Sequence, residues 1–137
     1  MRFRHLYGVL KTALMWCTLS TSDEHHLFVT GAPRSGTTLL KAVLMNHSAT
    51  CGPMYESTGL FSNADLYQEQ WWGQTGLDSE TVAPILASSD NIVSFYDEIA
   101  RTMCERHQAS FFVDKVPWPP RQYRLRYVTS VWRPRWF

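Results

Sequence analysis

LFVTGAPRSGTTLLKAVLMNH, residues 27 to 47, changes its pattern twice in one short stretch. HLFVTG, residues 26 to 31, is an apolar run ending on a glycine, which predicts a buried strand feeding a turn. From Thr37 to His47 the residues Leu39, Leu40, Val43 and Leu44 recur at helical spacing, so a helix with that apolar face is expected. Between them stands G-A-P-R-S-G-T-T, residues 31 to 38. It matches the phosphate-binding pattern G-x-x-x-x-G-K-[ST] except that Thr37 replaces the lysine and Arg34 sits inside the loop.

A glycine-rich turn that opens a helix points backbone N–H groups inward, and the helix N-terminus adds partial positive charge. Gly31 and Gly36 allow close approach, Pro33 stiffens the turn, and Ser35, Thr37 and Thr38 offer hydroxyls. In users of ATP or GTP the missing lysine reaches the β- and γ-phosphates beside Mg²⁺. Arg34 instead brings a planar two-pronged donor, which suits a shorter anion carrying one transferable group.

The rest of the chain fits an α/β pattern. With 137 residues, 45% hydrophobic and 18% charged, it has the composition of one modest globular domain. A net charge of +1 suggests neither a nucleic-acid nor a membrane partner. Residues 42 to 100 hold eight acids and no Lys or Arg, whereas residues 117 to 137 hold five Arg and no acid. Cys17, Cys51 and Cys104 form no C-x-x-C, so no zinc site is indicated. Reduced thiols in the cytoplasm are the simplest reading, and one disulfide plus a free thiol is the alternative.

Residues 1 to 25 read as an N-terminal helical extension and residues 26 to 137 as the domain proper. The basic start and apolar stretch of residues 1 to 19 resemble a short signal or anchor. Lys11 interrupts that stretch, and it is too short to span a bilayer, so an amphipathic helix packed on the domain is preferred. Residues 47 to 59 read as loop, and 59 to 72 as a helix ending on Trp71 and Trp72. Residues 79 to 88 read as a helix limited by Pro84. Ile92, Phe95, Tyr96, Ile99 and Met103 define one face of a helix from Asn91 to His107, capped by Asn91 or Asp90. SFFVDK, residues 110 to 115, reads as a second buried strand and YVTSVW, residues 127 to 132, as a third. His25 and His26 are read as surface residues, His47 as a partner of a helix dipole, and Trp71, Trp72 and Trp118 as core or lid. The fold class is thus α/β, a P-loop-type parallel sheet flanked by helices, expected to be incomplete at the C-terminus.

These residues resemble a known family. PRSGTTLL, residues 33 to 40, is similar to the 5′-phosphosulfate loop of the sulfotransferases, most of all the P-R-S-G-T-T group with the tyrosylprotein and bacterial enzymes. CGPMYES, residues 51 to 57, resembles the segment where a glutamate serves as general base, and Glu56 matches it. FFVDKVP, residues 111 to 117, resembles a strand-end motif with an active-site lysine, matched by Lys115. The resemblance implies 3′-phosphoadenosine 5′-phosphosulfate (PAPS) as donor, no metal, and a hydroxyl or amine on the acceptor. It implies donor contacts from Arg34, Ser35, Gly36, Thr37 and Thr38, and catalysis by Glu56, Arg34 and Lys115. Arg133 stands for the family's 3′-phosphate arginine, and the serine that follows in the family has no counterpart. A truncated member that is not active on its own is therefore expected. The rival readings are a P-loop phosphotransferase using ATP and Mg²⁺, with Asp114 holding the metal, and a non-catalytic remnant that folds poorly.

Overall fold

The computed structural model describes residues 2–18, 20–22, 24–32, 34–53, 56 and 65–117. In chain order these form α1 (Arg2–Cys17), β1 (His26–Gly31), α2 (Thr37–Met45), β2 (Thr50–Cys51), a 3₁₀ helix (Glu69–Thr75), α3 (Ser79–Ser88), α4 (Ile92–His107) and β3 (Phe111–Pro117). The three strands make one parallel sheet in the order β1-β3-β2. The fold is α/β, as the strand–loop–helix reading expects. The expected strand at 127–132, the first part of the helix at 59–72, Trp118 and Arg133 lie outside the described residues.

Register decides where the chain can do chemistry. His26 lies opposite Phe112 and Gly31 opposite Pro117, while Cys51 lies opposite Phe112. All strands therefore run the same way, and the loop after Gly31 leaves the sheet level with the end of β3. Ligands in open parallel sheets bind at that carboxyl edge. Gly52, just past β2, is pressed onto β3: a Cβ there would lie 2.0 Å from the Val113 carbonyl oxygen.

The main core lies on the α4 face of the sheet. Ile92, Phe95, Tyr96, Ile99 and Met103, the face read from the sequence, are all buried. They pack with Phe112, Val82, Leu86, Leu66 and Trp72. Each such side chain contributes about 1.5–3 kcal/mol by leaving water. Asn91 caps α4 through a reciprocal box with Ser94, its Oδ1 accepting from the Ser94 amide at 2.9 Å. Helix α3 starts on Asp78, which accepts from the Thr81 amide at 2.8 Å. Pro84 does not limit it. The helix continues to Ser88, held by buried Val82 and Leu86 on its inner side, with Pro84 on the exposed one.

Several expectations need correction. Strand β2 falls inside the segment read as loop; two residues are too few for an alternation to show. Strand β1 is only partly buried, since it stands at one end of the described sheet: Val29 is buried and Leu27 is exposed. Leu39, Leu40 and Val43 of α2 are exposed, and the residue that α2 buries is Lys41. His26 is no surface residue. Its ring packs against Phe28, Tyr96 and Phe112, and its Nε2 lies 2.7 Å from Asp97 Oδ1. His47 follows the end of α2, and its Nδ1 accepts from the Ala49 amide at 3.1 Å, so it shapes the turn into β2.

Helix α1 packs on the domain through Thr12 and Met15, both buried. Thr12 Oγ1 accepts from the Leu66 amide at 3.0 Å, and His5 Nδ1 lies 2.9 Å from Asp65 Oδ2. Phe3, Leu6, Tyr7, Leu10 and Leu14 are exposed on the same helix. Among the described residues no helix is long and apolar enough to cross a membrane.

Candidate active site

The loop begins where β1 ends. The Ser35 amide donates to Ala32 O at 3.1 Å, and the chain turns through left-handed backbone at Arg34 (φ 67°) and Gly36 (φ 83°). Glycine accepts that conformation without a Cβ penalty, while arginine carries strain there. Gly36 then precedes α2, and its carbonyl accepts from the Leu40 amide at 2.9 Å. The N-cap residue Gly36 makes no side-chain bond to this helix, so among the described residues its first amides stay open to an outside acceptor. Ser35 and Thr38 are exposed beside them, and Thr37 is half-buried.

Strand β3 supplies the cation. Side chains alternate along a strand, so neighbours Asp114 and Lys115 leave on opposite faces. Lys115 turns toward α2. Its Nζ donates to Thr38 Oγ1 at 2.9 Å and forms an ion pair with Glu56 Oε1. Three of the residues read from the sequence, Glu56, Lys115 and Thr38, thus meet at the open end of α2. They come from separate segments of the chain, and nothing but the fold brings them together.

Asp114 turns the other way. It is fully buried and accepts from the Tyr96 hydroxyl at 3.0 Å, on the α4 side. Its side chain thus leaves β3 on the face opposite Lys115, and no group of residues able to hold a metal ion is found among the described residues, so the metal-holding role considered for it gains no support. Arg34 lies on the loop with its side chain exposed. Among the described residues its guanidinium bonds to neither Glu56 nor Lys115.

Lys41 is the residue that sequence reasoning missed. It is 8% exposed, and its Nζ donates to the Pro53 carbonyl at 2.6 Å. Burial pushes its pKa below the ordinary 10.5; Asp114 and Glu56 oppose this, and Lys115 adds to it. The charges of Lys115, Glu56 and Asp114 thus all reach Lys41, although Asp114 leaves β3 on the other face. Its signal in the sequence was slight: it lies one helical turn beyond Thr38, in a run otherwise apolar.

The arrangement combines an open helix N-terminus, a hydroxyl, an ammonium and a carboxylate at one sheet edge. Such a set can hold an anionic group, offset charge that develops on it, and take a proton from an incoming hydroxyl. A search among curated proteins and one among solved structures found no match. The model of the sulfotransferase family matches residues 26–125, from the start of β1 to beyond the end of β3. That span contains the loop, Glu56 and Lys115 and covers well over half of the sequence, so the chain belongs to the sulfotransferase family.

Proposed function

We propose that this protein transfers a sulfuryl group from PAPS to a hydroxyl or amine of an acceptor. The observation that carries the reading is Lys115 bound at once to Thr38 and Glu56 beside the uncapped start of α2. PAPS supplies the sulfuryl group and a phosphate leaving group. The open amides of α2, with Ser35, Gly36, Thr37 and Thr38, fit the 5′ end of that donor. Arg34 is free to swing its guanidinium over the loop from its exposed position.

Each residue has a separate task. Glu56 takes the proton of the acceptor hydroxyl through the carboxylate oxygen other than the one paired with Lys115. Lys115 places positive charge where the transferring oxygens and the leaving group gather negative charge. Lys41 anchors the segment that leads from β2 toward Glu56 by holding Pro53. Reacting atoms must be aligned, and alignment is the largest task left to the protein.

Titration calorimetry with adenosine 3′,5′-bisphosphate, followed by competition with PAPS, tests the donor. Binding at one site, insensitive to Mg²⁺ and weaker for ATP, is expected. Tight Mg²⁺-dependent ATP binding with no effect of the bisphosphate would overturn the reading. Transfer of radiolabelled sulfate from PAPS to a panel of phenols, sugars and amines identifies the acceptor class.

A further inference from the structure

We propose that Cys51 and Cys104 form a dithiol site that reacts with low-molecular-weight disulfides and closes a bond between β2 and α4. The two sulfurs lie 3.1 Å apart and belong to residues 53 positions apart in the chain. A disulfide needs about 2.05 Å, so closure asks for a movement of about 1 Å. Cys17, by contrast, is exposed on α1.

A second feature makes the pair reachable. Cys104 lines a cavity of about 280 Å³ together with Glu24, His25, Arg101, Gln108 and Ser110. Cys51 is buried, whereas Cys104 is half-exposed. Burial and then contact with Cys104 push the Cys51 thiol up to about 12, so Cys51 stays protonated at neutral pH. The order of events follows. The Cys104 thiolate attacks one sulfur of the small disulfide RSSR, forming Cys104–S–S–R and releasing RS⁻. Cys51 then attacks the Cys104 sulfur, giving up its proton to the departing sulfur, and the second R group leaves as RSH. The protein loses two electrons and two protons, and RSSR becomes two RSH.

The bond would tie down a functional segment. Cys51 precedes Gly52, pressed on Val113, and Pro53, whose carbonyl holds Lys41. Oxidation thus fixes to α4 the strand from which the chain runs on to Glu56.

The test uses the full chain treated with oxidised glutathione, alkylated, digested without reduction and read by mass spectrometry. A Cys51–Cys104 peptide short of two hydrogens is expected, with no such link to Cys17. Cys51→Ser should trap glutathione on Cys104, and Cys104→Ser should leave Cys51 unmodified. The oxidised wild type should unfold at higher denaturant concentration than the reduced form, a shift absent from Cys104→Ser. The proposal fails if Cys51 and Cys104 are both recovered alkylated after Cys17 has reacted. It also fails if glutathione persists on wild-type Cys104 beside a free Cys51, or if Cys104→Ser takes up glutathione on Cys51 as fast as wild type reacts.

Discussion

Lys115 donates to Thr38 Oγ1 at 2.9 Å, which ties the end of β3 to the first turn of α2. The same ammonium holds Glu56. Replacing Lys115 by Ala removes both contacts. Donor affinity should fall about 10- to 100-fold, the worth of a charge-assisted hydrogen bond, and transfer should slow as well. Lys115→Arg should rescue little, because a planar fork does not replace a compact ammonium held between two oxygens. Calorimetry and single-turnover transfer separate the two losses.

Glu56→Gln should behave differently. The side chain keeps its size and an acceptor oxygen for Lys115 but loses its basicity. Transfer should slow by about 10²- to 10⁴-fold while the bisphosphate binds nearly as before. A parallel drop in affinity and rate would recast Glu56 as a binding residue.

Arg34 combines a left-handed backbone with an exposed side chain, which separates function from stability. Arg34→Ala should weaken donor binding about 10-fold or more and leave the fold unchanged. Arg34→Gly should lose the same affinity yet be more stable than Arg34→Ala by about 1–2 kcal/mol, since glycine carries no Cβ into that conformation. Urea unfolding of the two variants measures the difference.

On the other face, Tyr96→Phe strips a hydroxyl from a fully buried carboxylate. Loss of a hydrogen bond to a buried charge should cost about 1.5–3 kcal/mol with little change in ring packing. Denaturant titration reads the loss directly, and donor affinity should be nearly unaffected.

Lys41 gives a pH signature. Its folded pKa lies below the ordinary 10.5, so between the two values the unfolded chain binds more protons than the folded one. Its contribution to stability is therefore smallest below the folded value and rises with pH toward 10.5. Lys41→Met removes this component. The stability of wild type minus that of Lys41→Met should climb as pH approaches 10.5 from below. A flat difference across that range would place the ammonium in water instead.

Much of this fold is written locally. Strand β1, the glycine loop and α2 follow one another within twenty residues, each with its own spacing, so their order shows in the sequence. Helix α4 shows itself by its apolar face and by Asn91. The misses share another cause, since they depend on partners far along the chain. His26 is drawn inward by Asp97, 71 residues away. Lys41 is buried because Pro53 offers a carbonyl, and Leu39, Leu40 and Val43 of the same helix are exposed. A rule that sends apolar residues inward misplaces such a helix. Glu56 and Lys115 could each be picked out of the sequence by type; that they pair depended on the parallel register of three strands.

The back-to-back placement of Asp114 and Lys115 sets a limit on length rather than on composition. Parity along a strand is strict, so sliding β3 by one position against β1 would expose every inward residue and bury every outward one. The acid would then sit beside Thr38, the base would be sealed against Tyr96, and an incoming anion would meet repulsion in place of attraction. Inserting or deleting one amino acid between Phe111 and Lys115 should therefore do more harm than most single replacements there, because it reverses the electrical polarity of the sheet's two sides at a stroke.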